Sequence, residues 1–282
     1  MYIRDVVPSG RMENTARYVY QSLTEWLNPG EARTARNLAH ANRISDTAKR
    51  IYHIHIRKTG GTSLNNAFFA LSGQDPSSIQ SQLAFKRDHR VIAGDMVFVG
   101  YNKYLINKGN YTFAHSHIPV YELELPDDTF TVTCFRDPVS RVISHYAMLV
   151  NIVQRDSSHP LRETECKWLG DGIQGFLRQL PRQHLLNQLY MYSSEFDVDQ
   201  ALNNARECSY FFFTESHSNG IEELNRLFDI NLESFNFRKS DRSGLDIDDG
   251  DLALLREILD DEYVFLEKLC KFTPCALKKA KA

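Results

Sequence analysis

Cysteine is scarce in this sequence, and its spacing does not suit a metal centre. The 282 residues include five cysteines. The closest pair, Cys270 and Cys275, has neither a second pair nor nearby histidines to complete a zinc site. An odd number of scattered cysteines also argues against a disulfide scaffold. We expect free thiols, with Cys134, which lies in an apolar run, in the core.

Long apolar runs and a strong charge of either sign are missing as well. No stretch of about 18 consecutive apolar residues occurs, so we expect no membrane span. The first twenty residues lack the apolar segment of a signal peptide. The net charge of −3 provides no general attraction to nucleic acid, so any anion must be held by local basic groups. We expect a cytoplasmic protein that binds no nucleic acid; the alternative is a chain that has lost a Golgi-type anchor.

Short β-rich runs alternate with amphipathic segments along most of the chain. Residues 1–50 are typical of a peripheral helical extension, and the first predicted strand is "IYHIHI" at 51–56. Further strands are expected at "VIAGDMVFVG", "YTFAHS", "FTVTCF" and "YFFFT", and helices follow the last two. Residues 151–204 are expected to be helical, and "DLALLREILDDEYVFLEKLCKF" predicts one long final helix. This order predicts a single α/β domain whose mainly parallel central sheet is flanked by helices, with helical additions.

The stretch "HIRKTGGTSL" follows the first predicted strand and opens a helix. Gly60 and Gly61 let the backbone approach a ligand closely, while Thr62 and Ser63 add hydroxyl donors in the first helical turn. Unpaired amide groups and the helix dipole favour an anion at such a turn, and Lys58 adds a full positive charge. Because the lysine precedes the glycines, the Walker A pattern of the common nucleotide loop is absent. The loop predicts an anion site; the alternative is an ordinary strand–turn–helix corner.

A second stretch, "FRDPVSRVISHY", also starts where a predicted strand ends. Asp137 and Pro138 are typical of a helix start, and Arg136 is expected at the carboxyl end of the strand, where open α/β sheets bind ligands. Ser144 lies about two turns into the helix. An arginine fork together with a hydroxyl suits a phosphate monoester. The alternative has Arg136 and Arg141 in surface ion pairs and Ser144 on the helix surface.

In order, spacing and context, these two stretches resemble the sulfotransferases that use 3′-phosphoadenosine 5′-phosphosulfate (PAPS). The likeness is to the carbohydrate-type, heparan sulfate 2-O-like branch, whose motifs often read "HIPKTGGTSL" and "RDPVxRxxSxY"; Arg57 here replaces a proline. The resemblance implies a P-loop-like fold in which the first loop holds the 5′-phosphosulfate and the second motif holds the 3′-phosphate. The cofactor-binding residues that it implies are Lys58, Thr59, Gly60, Gly61, Thr62, Ser63, Arg136 and Ser144.

The resemblance continues more faintly towards the C-terminus. "FNFRKSDRSG" looks like the late basic loop that closes over the nucleotide in this family, which implies Arg238 and Lys239 as further cofactor contacts. The alternative for this basic pair is plain solvent exposure. The resemblance assigns residues 51–146 to the PAPS-binding core of one domain spanning 1–282. Residues 151–204 have no dependable match and are where we expect acceptor specificity.

Histidine is the side chain best suited to accept the proton of an attacking hydroxyl near neutral pH. "SHIPVY" resembles the family's "GHxPYG" segment, and heparan-type members have an H-x-H pair in this region. The resemblance implies His117 as the base and His115 as its neighbour. His53 and His55 share one face of the first strand, where we expect hydrogen bonding at the end of the sheet. Glu215 is expected either to orient a base or to cap the helix that follows it.

The leading hypothesis is in-line sulfuryl transfer from PAPS to a hydroxyl acceptor, a glycan or a small molecule. The product nucleotide is 3′,5′-adenosine bisphosphate (PAP). Lys58 would stabilise the leaving oxygen, and the arrangement requires no metal. Two alternatives stand beside it. One is an ATP-dependent phosphotransferase with a degenerate P-loop, which would need Mg²⁺, and the other is a non-catalytic protein that binds PAP or another nucleotide.

Overall fold

Six strands form one central sheet in the computed structural model, which describes residues 18–20, 22–23, 25–233 and 245–271. The sheet order is β2-β3-β4-β1-β5-β6, and every neighbouring pair is parallel apart from the antiparallel pair β2–β3. The predicted α/β class with a mainly parallel sheet is therefore confirmed. The strands are β1 (Arg50–Ile54), β2 (Arg90–Ala93), β3 (Met96–Gly100), β4 (Phe113–Ser116), β5 (Thr129–Phe135) and β6 (Tyr210–Phe213).

Helices connect the strands and cover both faces of the sheet. Residues 151–204 are helical, as expected, but as a series of short helices and 3₁₀ turns, among them the turn Glu165–Trp168. Helical residues also occur between 18 and 27. The helices are α1 (Pro29–Ala41), α2 (Gly61–Ala70), α3 (Pro76–Phe85), α4 (Lys103–Lys108), α5 (Pro138–Arg155), α6 (Gly172–Gln179), α7 (Arg182–Leu185), α8 (Asn187–Tyr190), α9 (Val198–Arg206), α10 (His217–Phe228), α11 (Asp249–Ile258) and α12 (Asp260–Cys270).

Strand β1 contributes alternate residues to two hydrophobic cores, because successive strand residues point to opposite faces of a sheet. Tyr52 and Ile54 belong to the core that contains the apolar residues of α5 and α12. Ile51 belongs to the second core, with the apolar residues of α2, α3 and α10. His53 follows Ile51 at the spacing of two, so it faces α2. The central strand is thus buried on both sides, as parallel strands in α/β proteins are.

The direction of the chain across the sheet reverses at β1. From β1 the chain runs to β2, β3 and β4 on one side, and afterwards to β5 and β6 on the other. The carboxyl ends of β1 and β5 lie side by side, with Ile54 paired to Thr133, and the helices that follow them pack on opposite faces. Such a reversal opens a crevice at the strand ends, which is where open α/β sheets bind their ligands.

Two predicted elements are each divided in the structure. "VIAGDMVFVG" was expected to be one strand, but it is the hairpin of β2 and β3, because Gly94 adopts a left-handed φ of 59°. The final helix breaks at Leu259 into α11 and α12. Leu259 is buried together with Leu255 and Phe265. Burial of both helices against one core therefore outweighs the helical propensity of the sequence at this corner.

The N-terminal extension is less peripheral than predicted. Glu25 is buried, and its two carboxylate oxygens lie 3.3 Å from a guanidinium nitrogen of Arg90 and 2.9 Å from Nζ of Lys108. The Arg90 side chain is itself buried. A buried guanidinium requires a paired carboxylate, so the extension supplies part of the charge balance of strand β2.

The cysteines that the structure describes are thiols, as the sequence predicted. Cys134, Cys166, Cys208 and Cys270 are free thiols, and Cys134 is buried. Cys275 lies outside the described residues. Among the helices between residues 18 and 271 that the structure describes, none has the length and apolar character needed to cross a bilayer.

Candidate active site

The turn between β1 and α2 uses two left-handed residues. Lys58 has a φ of 67° and Gly60 a φ of 85°, and α2 begins immediately afterwards at Gly61. A residue with a side chain adopts this conformation at a cost of about 1–2 kcal/mol. The neighbouring contacts must therefore hold Lys58 in place, whereas Gly60 adopts it freely.

Gly61 is the point at which the helix approaches the strand most closely. A Cβ atom on Gly61 would lie 2.1 Å from Cδ2 of His55 and 2.8 Å from Cε1 of His53. No side chain fits there, so the glycine brings the first turn of α2 against the two histidines. The amide groups of that turn and the positive end of the helix dipole then lie at the carboxyl end of β1, an arrangement that suits an anion.

The hydroxyl residues of the loop divide into two groups. Thr59 is buried, and its hydroxyl donates a hydrogen bond to the carbonyl oxygen of Ile56 at 3.0 Å. The Thr59 side chain therefore closes the turn, so any part that Thr59 takes in binding falls to its backbone. Thr62 and Ser63 are half-buried in the first turn of α2, which is where the sequence pattern placed them.

Arg136 joins the second motif to the loop. It follows the last residue of β5, and its Nη1 atom donates to the carbonyl oxygen of Lys58 at 3.0 Å. The side-chain amide of Gln188 brackets the Arg136 backbone, accepting from its N–H at 2.8 Å and donating to its carbonyl oxygen at 3.0 Å. The two motifs, 78 residues apart in sequence, thus meet at the crevice between β1 and β5.

The start of α5 is capped as the sequence predicted. Pro138 is the first helical residue, and the Asp137 carboxylate accepts from the backbone N–H of Ser140 at 2.7 Å. The other carboxylate oxygen accepts from the Tyr263 hydroxyl at 2.8 Å. Glu215 accepts from the backbone N–H of Asp137 at 3.0 Å. The Glu215 carboxylate therefore supports the start of α5 and does not cap the helix that follows it.

The alternative of a surface position is wrong for Arg141 and Ser144. Arg141 is completely buried, where its guanidinium donates to the carbonyl oxygens of His184 and Leu185 and lies 3.5 Å from a carboxylate oxygen of Glu262. Ser144 is also buried. Arg141 anchors α5 within the protein, which leaves Arg136 as the half-buried arginine of the motif at the crevice.

Four histidines lie together beside the loop. The ring of His55 stacks on His53 at 4.9 Å between centroids and lies 4.3 Å from His117 and 6.1 Å from His115. His53 Nδ1 is 2.7 Å from Oδ1 of Asn65 on α2. The expected hydrogen bonding of His53 at the end of the sheet is confirmed. Among the residues that the structure describes, these histidines and their neighbours do not form a group suited to a metal ion.

The inner histidines of this group are neutral at pH 7. Burial lowers the pKa of His53 to about 3, although its hydrogen bond with Asn65 opposes the shift. Burial, followed by repulsion from neighbouring histidines, holds the pKa values of His55 and His115 well below the ordinary value. A buried imidazole without a carboxylate partner avoids the cost of an enclosed charge in this way.

His117 is positioned differently from the other three. It is half-buried in the loop after β4, and its Nδ1 atom lies 2.5 Å from the carbonyl oxygen of His55. Because a carbonyl oxygen only accepts hydrogen bonds, Nδ1 must carry the proton, and Nε2 is then the basic nitrogen of the neutral ring. His115 lies in the core, where its ring packs against Tyr101 and Phe69. Of the two predicted bases, His117 is half-buried beside the loop, whereas His115 is enclosed in the core.

Several site residues escaped the sequence analysis. The Thr214 hydroxyl, at the end of β6, lies 2.7 Å from the carbonyl oxygen of Thr59 and 3.1 Å from that of Phe135, so it links both motifs. Its signal was its position as the last residue of the predicted strand "YFFFT". Gln188 and Glu262 had no signal, because both lie far along the chain from the residues that they contact. Arg238 and Lys239 lie outside the described residues.

Comparison with known proteins identifies the family. Residues 42–218, more than half of the chain, match the model of the sulfotransferase family. The chain belongs to the sulfotransferase family. The matched segment of this sulfotransferase contains Lys58, His117, Arg136 and Ser144, whereas Arg238 lies beyond it. Membership of this family favours sulfuryl transfer over ATP-dependent phosphotransfer.

Among solved structures, this sulfotransferase is similar to retinol dehydratase in a crystal complex with androsterone and the inactive cofactor PAP. The two chains are 11% identical, the alignment covers 81% of this chain and 68% of that chain, and the TM-score is 0.30. So remote a likeness carries no argument about the site. No curated protein matches the sequence.

Proposed function

We propose that this sulfotransferase moves a sulfuryl group from PAPS to a hydroxyl acceptor, with His117 as the general base and Lys58 stabilising the leaving group. The convergence of three chain segments at the carboxyl ends of β1, β4 and β5 supports this proposal. Arg136 contacts the carbonyl oxygen of Lys58 at 3.0 Å, and His117 contacts that of His55 at 2.5 Å. The backbone of residues 55–58 thereby links Arg136 and His117 to residues 57–62, the loop that would hold the donor (the donor loop).

The residues of the loop fit a phosphosulfate donor. Gly60 and Gly61 keep the N-terminus of α2 clear of side chains, and Lys58 contributes a positive charge beside it. These groups would hold the 5′-phosphosulfate, while Arg136, with Ser144 as the further expected contact, would hold the 3′-phosphate. When bound, PAPS supplies the activated sulfuryl group.

His117 is suited to take the proton of the acceptor hydroxyl. Its protonated Nδ1 donates to the His55 carbonyl oxygen, which orients the ring and leaves Nε2 as the proton acceptor. The neighbouring His53, His55 and His115 are neutral, because burial lowers their pKa values. They therefore place no positive charge beside His117 at pH 7. The positive charge of Lys58 lies on the donor side of the site, where the leaving oxygen would gain negative charge.

The acceptor class can be found by a direct screen. The heparan-type resemblance of the two motifs favours a glycan hydroxyl, and a small-molecule alcohol is the competing class. Labelled PAPS should be incubated with panels of both acceptor classes, and product formation should be followed for the wild type and for His117→Ala. An acceptor whose labelling depends on His117 identifies the class.

The first prediction concerns donor selectivity. PAP and PAPS should raise the melting temperature without added metal, and Mg-ATP should raise it much less. At about one hundred times its dissociation constant, a ligand should add roughly 2.7 kcal/mol to the free energy of unfolding. A thermal melt with each nucleotide measures this. A shift with Mg-ATP as large as that with PAP would overturn the proposal, whereas PAP binding without turnover on any acceptor would support the non-catalytic alternative.

The second prediction concerns the 3′-phosphate. Arg136→Ala should weaken PAP binding by about 1.5–3 kcal/mol for each charge-assisted hydrogen bond that it removes. Adenosine 5′-phosphosulfate lacks the 3′-phosphate, so its binding should be weakened less by the same substitution. Because Arg136 also contacts the Lys58 carbonyl oxygen, the loss common to both ligands reports the disturbed loop. Titration calorimetry with both ligands separates these two contributions.

Arg155 offers the matched control for this substitution. It is exposed in the last turn of α5, so Arg155→Ala removes the same charge at the far end of the helix that follows Arg136 and should leave both affinities unchanged. Equal losses for the two ligands in Arg136→Ala would show that Arg136 only supports the loop, and the 3′-phosphate assignment would then be wrong.

A further inference from the structure

Arg57, the residue immediately before Lys58, is bound by the middle segment of the chain. Its Nη2 atom lies 2.6 Å from Oε1 of Glu165, and its backbone N–H donates to Oδ1 of Asn187 at 3.1 Å. Both partners belong to residues 151–204, the segment for which acceptor contacts are expected. One side of the donor loop is therefore attached to the acceptor-side segment and not to the sheet.

The contact is enclosed and balanced in charge. The side chain of Glu165 is 5% exposed and that of Arg57 is 17% exposed. The second carboxylate oxygen of Glu165 lies 3.1 Å from Nε2 of His145. Burial alone would raise the pKa of Glu165, but the hydrogen bond from His145 and the charge of Arg57 lower it to about 2. Burial lowers the pKa of His145 to about 4, so at pH 7 an anionic Glu165 faces one cation, Arg57, and one neutral ring.

The two sides of Lys58 are thus held by different parts of the protein. Arg57 on one side is bound to Glu165 and Asn187, while the carbonyl oxygen of Lys58 accepts from Arg136 on the other. Lys58 itself has a left-handed φ of 67°, a conformation that a lysine leaves readily unless its neighbours prevent it. Loss of the contacts of Arg57 would let the backbone of Lys58 relax.

We propose that Glu165 is a positioning residue for the donor loop: by binding Arg57, Glu165 holds Lys58 in its left-handed conformation. The acceptor-side segment then sets the geometry of the donor side. The effect on turnover rests on the proposed function, whereas the effect on loop conformation does not. Arg57 therefore does more than balance a charge. Its contacts lie immediately beside Lys58, the residue that would face the transferred group.

The test uses Glu165→Gln, Arg57→Gln and the double variant. Each single change should lower kcat/KM for PAPS about 10²-fold, as a misplacement of about 1 Å in a catalytic group does. The double variant should have a kcat/KM no lower than that of the less active single variant. It leaves no unpaired buried charge, and the two residues act through one contact. Hydrogen exchange of the amides in residues 57–62 should quicken about tenfold or more in the single variants, as expected when a charge-assisted hydrogen bond is lost.

Arg50→Gln is the matched control. Arg50 is the first residue of β1, at the end of the strand away from the donor loop. It is buried, and its guanidinium pairs with the Asp128 carboxylate at 2.7 Å. Its loss should lower the melting temperature while kcat/KM stays within about twofold and exchange in residues 57–62 is unchanged, since distant sites act independently.

The outcomes separate this inference from the proposed function. If Glu165→Gln and Arg57→Gln behave like Arg50→Gln in both readouts, Glu165 is merely structural and the inference is wrong. If loop exchange quickens but the wild type neither binds PAP nor turns over any acceptor, the inference on the loop stands and the proposed function fails. A double variant whose loss equals the product of the two single losses would also contradict the inference.

Discussion

Replacing His117 with alanine should reduce acceptor-dependent turnover about 10²–10⁴-fold, the usual contribution of a positioned base, while PAP affinity stays nearly unchanged. The reason is geometric. Nδ1 of His117 donates to the carbonyl oxygen of His55, so Nε2 is the basic nitrogen of the ring, and in the proposed function it takes the proton of the acceptor and does not contact the nucleotide. Steady-state rates with an identified acceptor, together with calorimetry on PAP, measure the two quantities.

Lys58 should respond in a different way, because it acts on the donor side. Lys58→Ala should lower turnover and also weaken PAP binding. Alanine is strained at a φ of 67°, so Lys58→Asn is the better probe: asparagine is neutral and tolerates left-handed backbone. A similar loss in both Lys58 variants would assign the effect to the missing charge, whereas recovery in Lys58→Asn would assign it to the backbone.

The control for His117→Ala is His40→Ala, at an exposed position in α1, which should leave turnover unchanged. A His117→Ala enzyme that keeps most of its turnover would transfer the role of base to His55 or His115. Both of those residues are buried, so that outcome would also require the loops around β4 to open. The family assignment would survive it.

The protein should lose stability steeply between pH 6.5 and 4.5. Burial lowers the pKa values of His53 and His184 to about 3 and that of His145 to about 4, whereas each titrates near 6.5 in the unfolded chain. Below pH 6.5 the unfolded state therefore binds protons that the folded state does not. Each histidine should cost about 1.4 kcal/mol per pH unit, so these three together cost about 4 kcal/mol per unit, against a net stability of roughly 5–15 kcal/mol.

Urea unfolding at half-unit steps of pH measures this slope. Glu165, a buried carboxylate whose pKa is lowered to about 2, contributes little to this slope, because most of its stabilisation is lost as the pH falls from the ordinary value of 4.5 towards the lowered one. His53→Gln should reduce the slope by the contribution of one histidine, about 1.4 kcal/mol per pH unit. His40→Gln, at its exposed site, should leave the slope unchanged. Stability that is flat from pH 6.5 to 4.5 would contradict the neutral state of the buried histidines.

This acid instability must be separated from the kinetic effect of the base. Protonation of His117 should also lower the rate at acid pH. Rates should therefore be measured only where unfolding experiments show a folded protein, and they should recover when the pH is raised. A rate that falls while the protein remains folded reports the base.

Local features of the site were predictable because their signals lie within a few residues of each other. The cap formed by Asp137 and the first helical position of Pro138 depend on neighbours in the chain, and so does the glycine turn at Gly60. The alternation of predicted strands and helices along the chain likewise predicted the class of the fold. The division of the final helix could not be predicted. The break at Leu259 follows from packing against the core, and no proline or glycine marks it in the sequence.

Partners that lie far apart in sequence could not be predicted. Glu262 contacts the backbone N–H of Gln188 from 74 residues away, and Glu165 contacts Arg57 from 108 residues away. Nothing near either carboxylate in the chain distinguishes it from a solvated surface charge. The alternative of surface ion pairs for Arg141 was wrong for the same reason, because burial is a property of the packed structure.

The sequence by itself determined the α/β class, the two strand–turn–helix motifs and the family to which they belong, because periodicity, capping and motif spacing are short-range properties. The tertiary structure alone decided which residues hold those motifs in place. It brought Arg136 against the Lys58 carbonyl oxygen and Arg57 against Glu165, and it enclosed three neutral histidines behind His117. Those contacts depend on how β1 and β5 pair and on what covers their ends, and that arrangement exists only once the chain has folded.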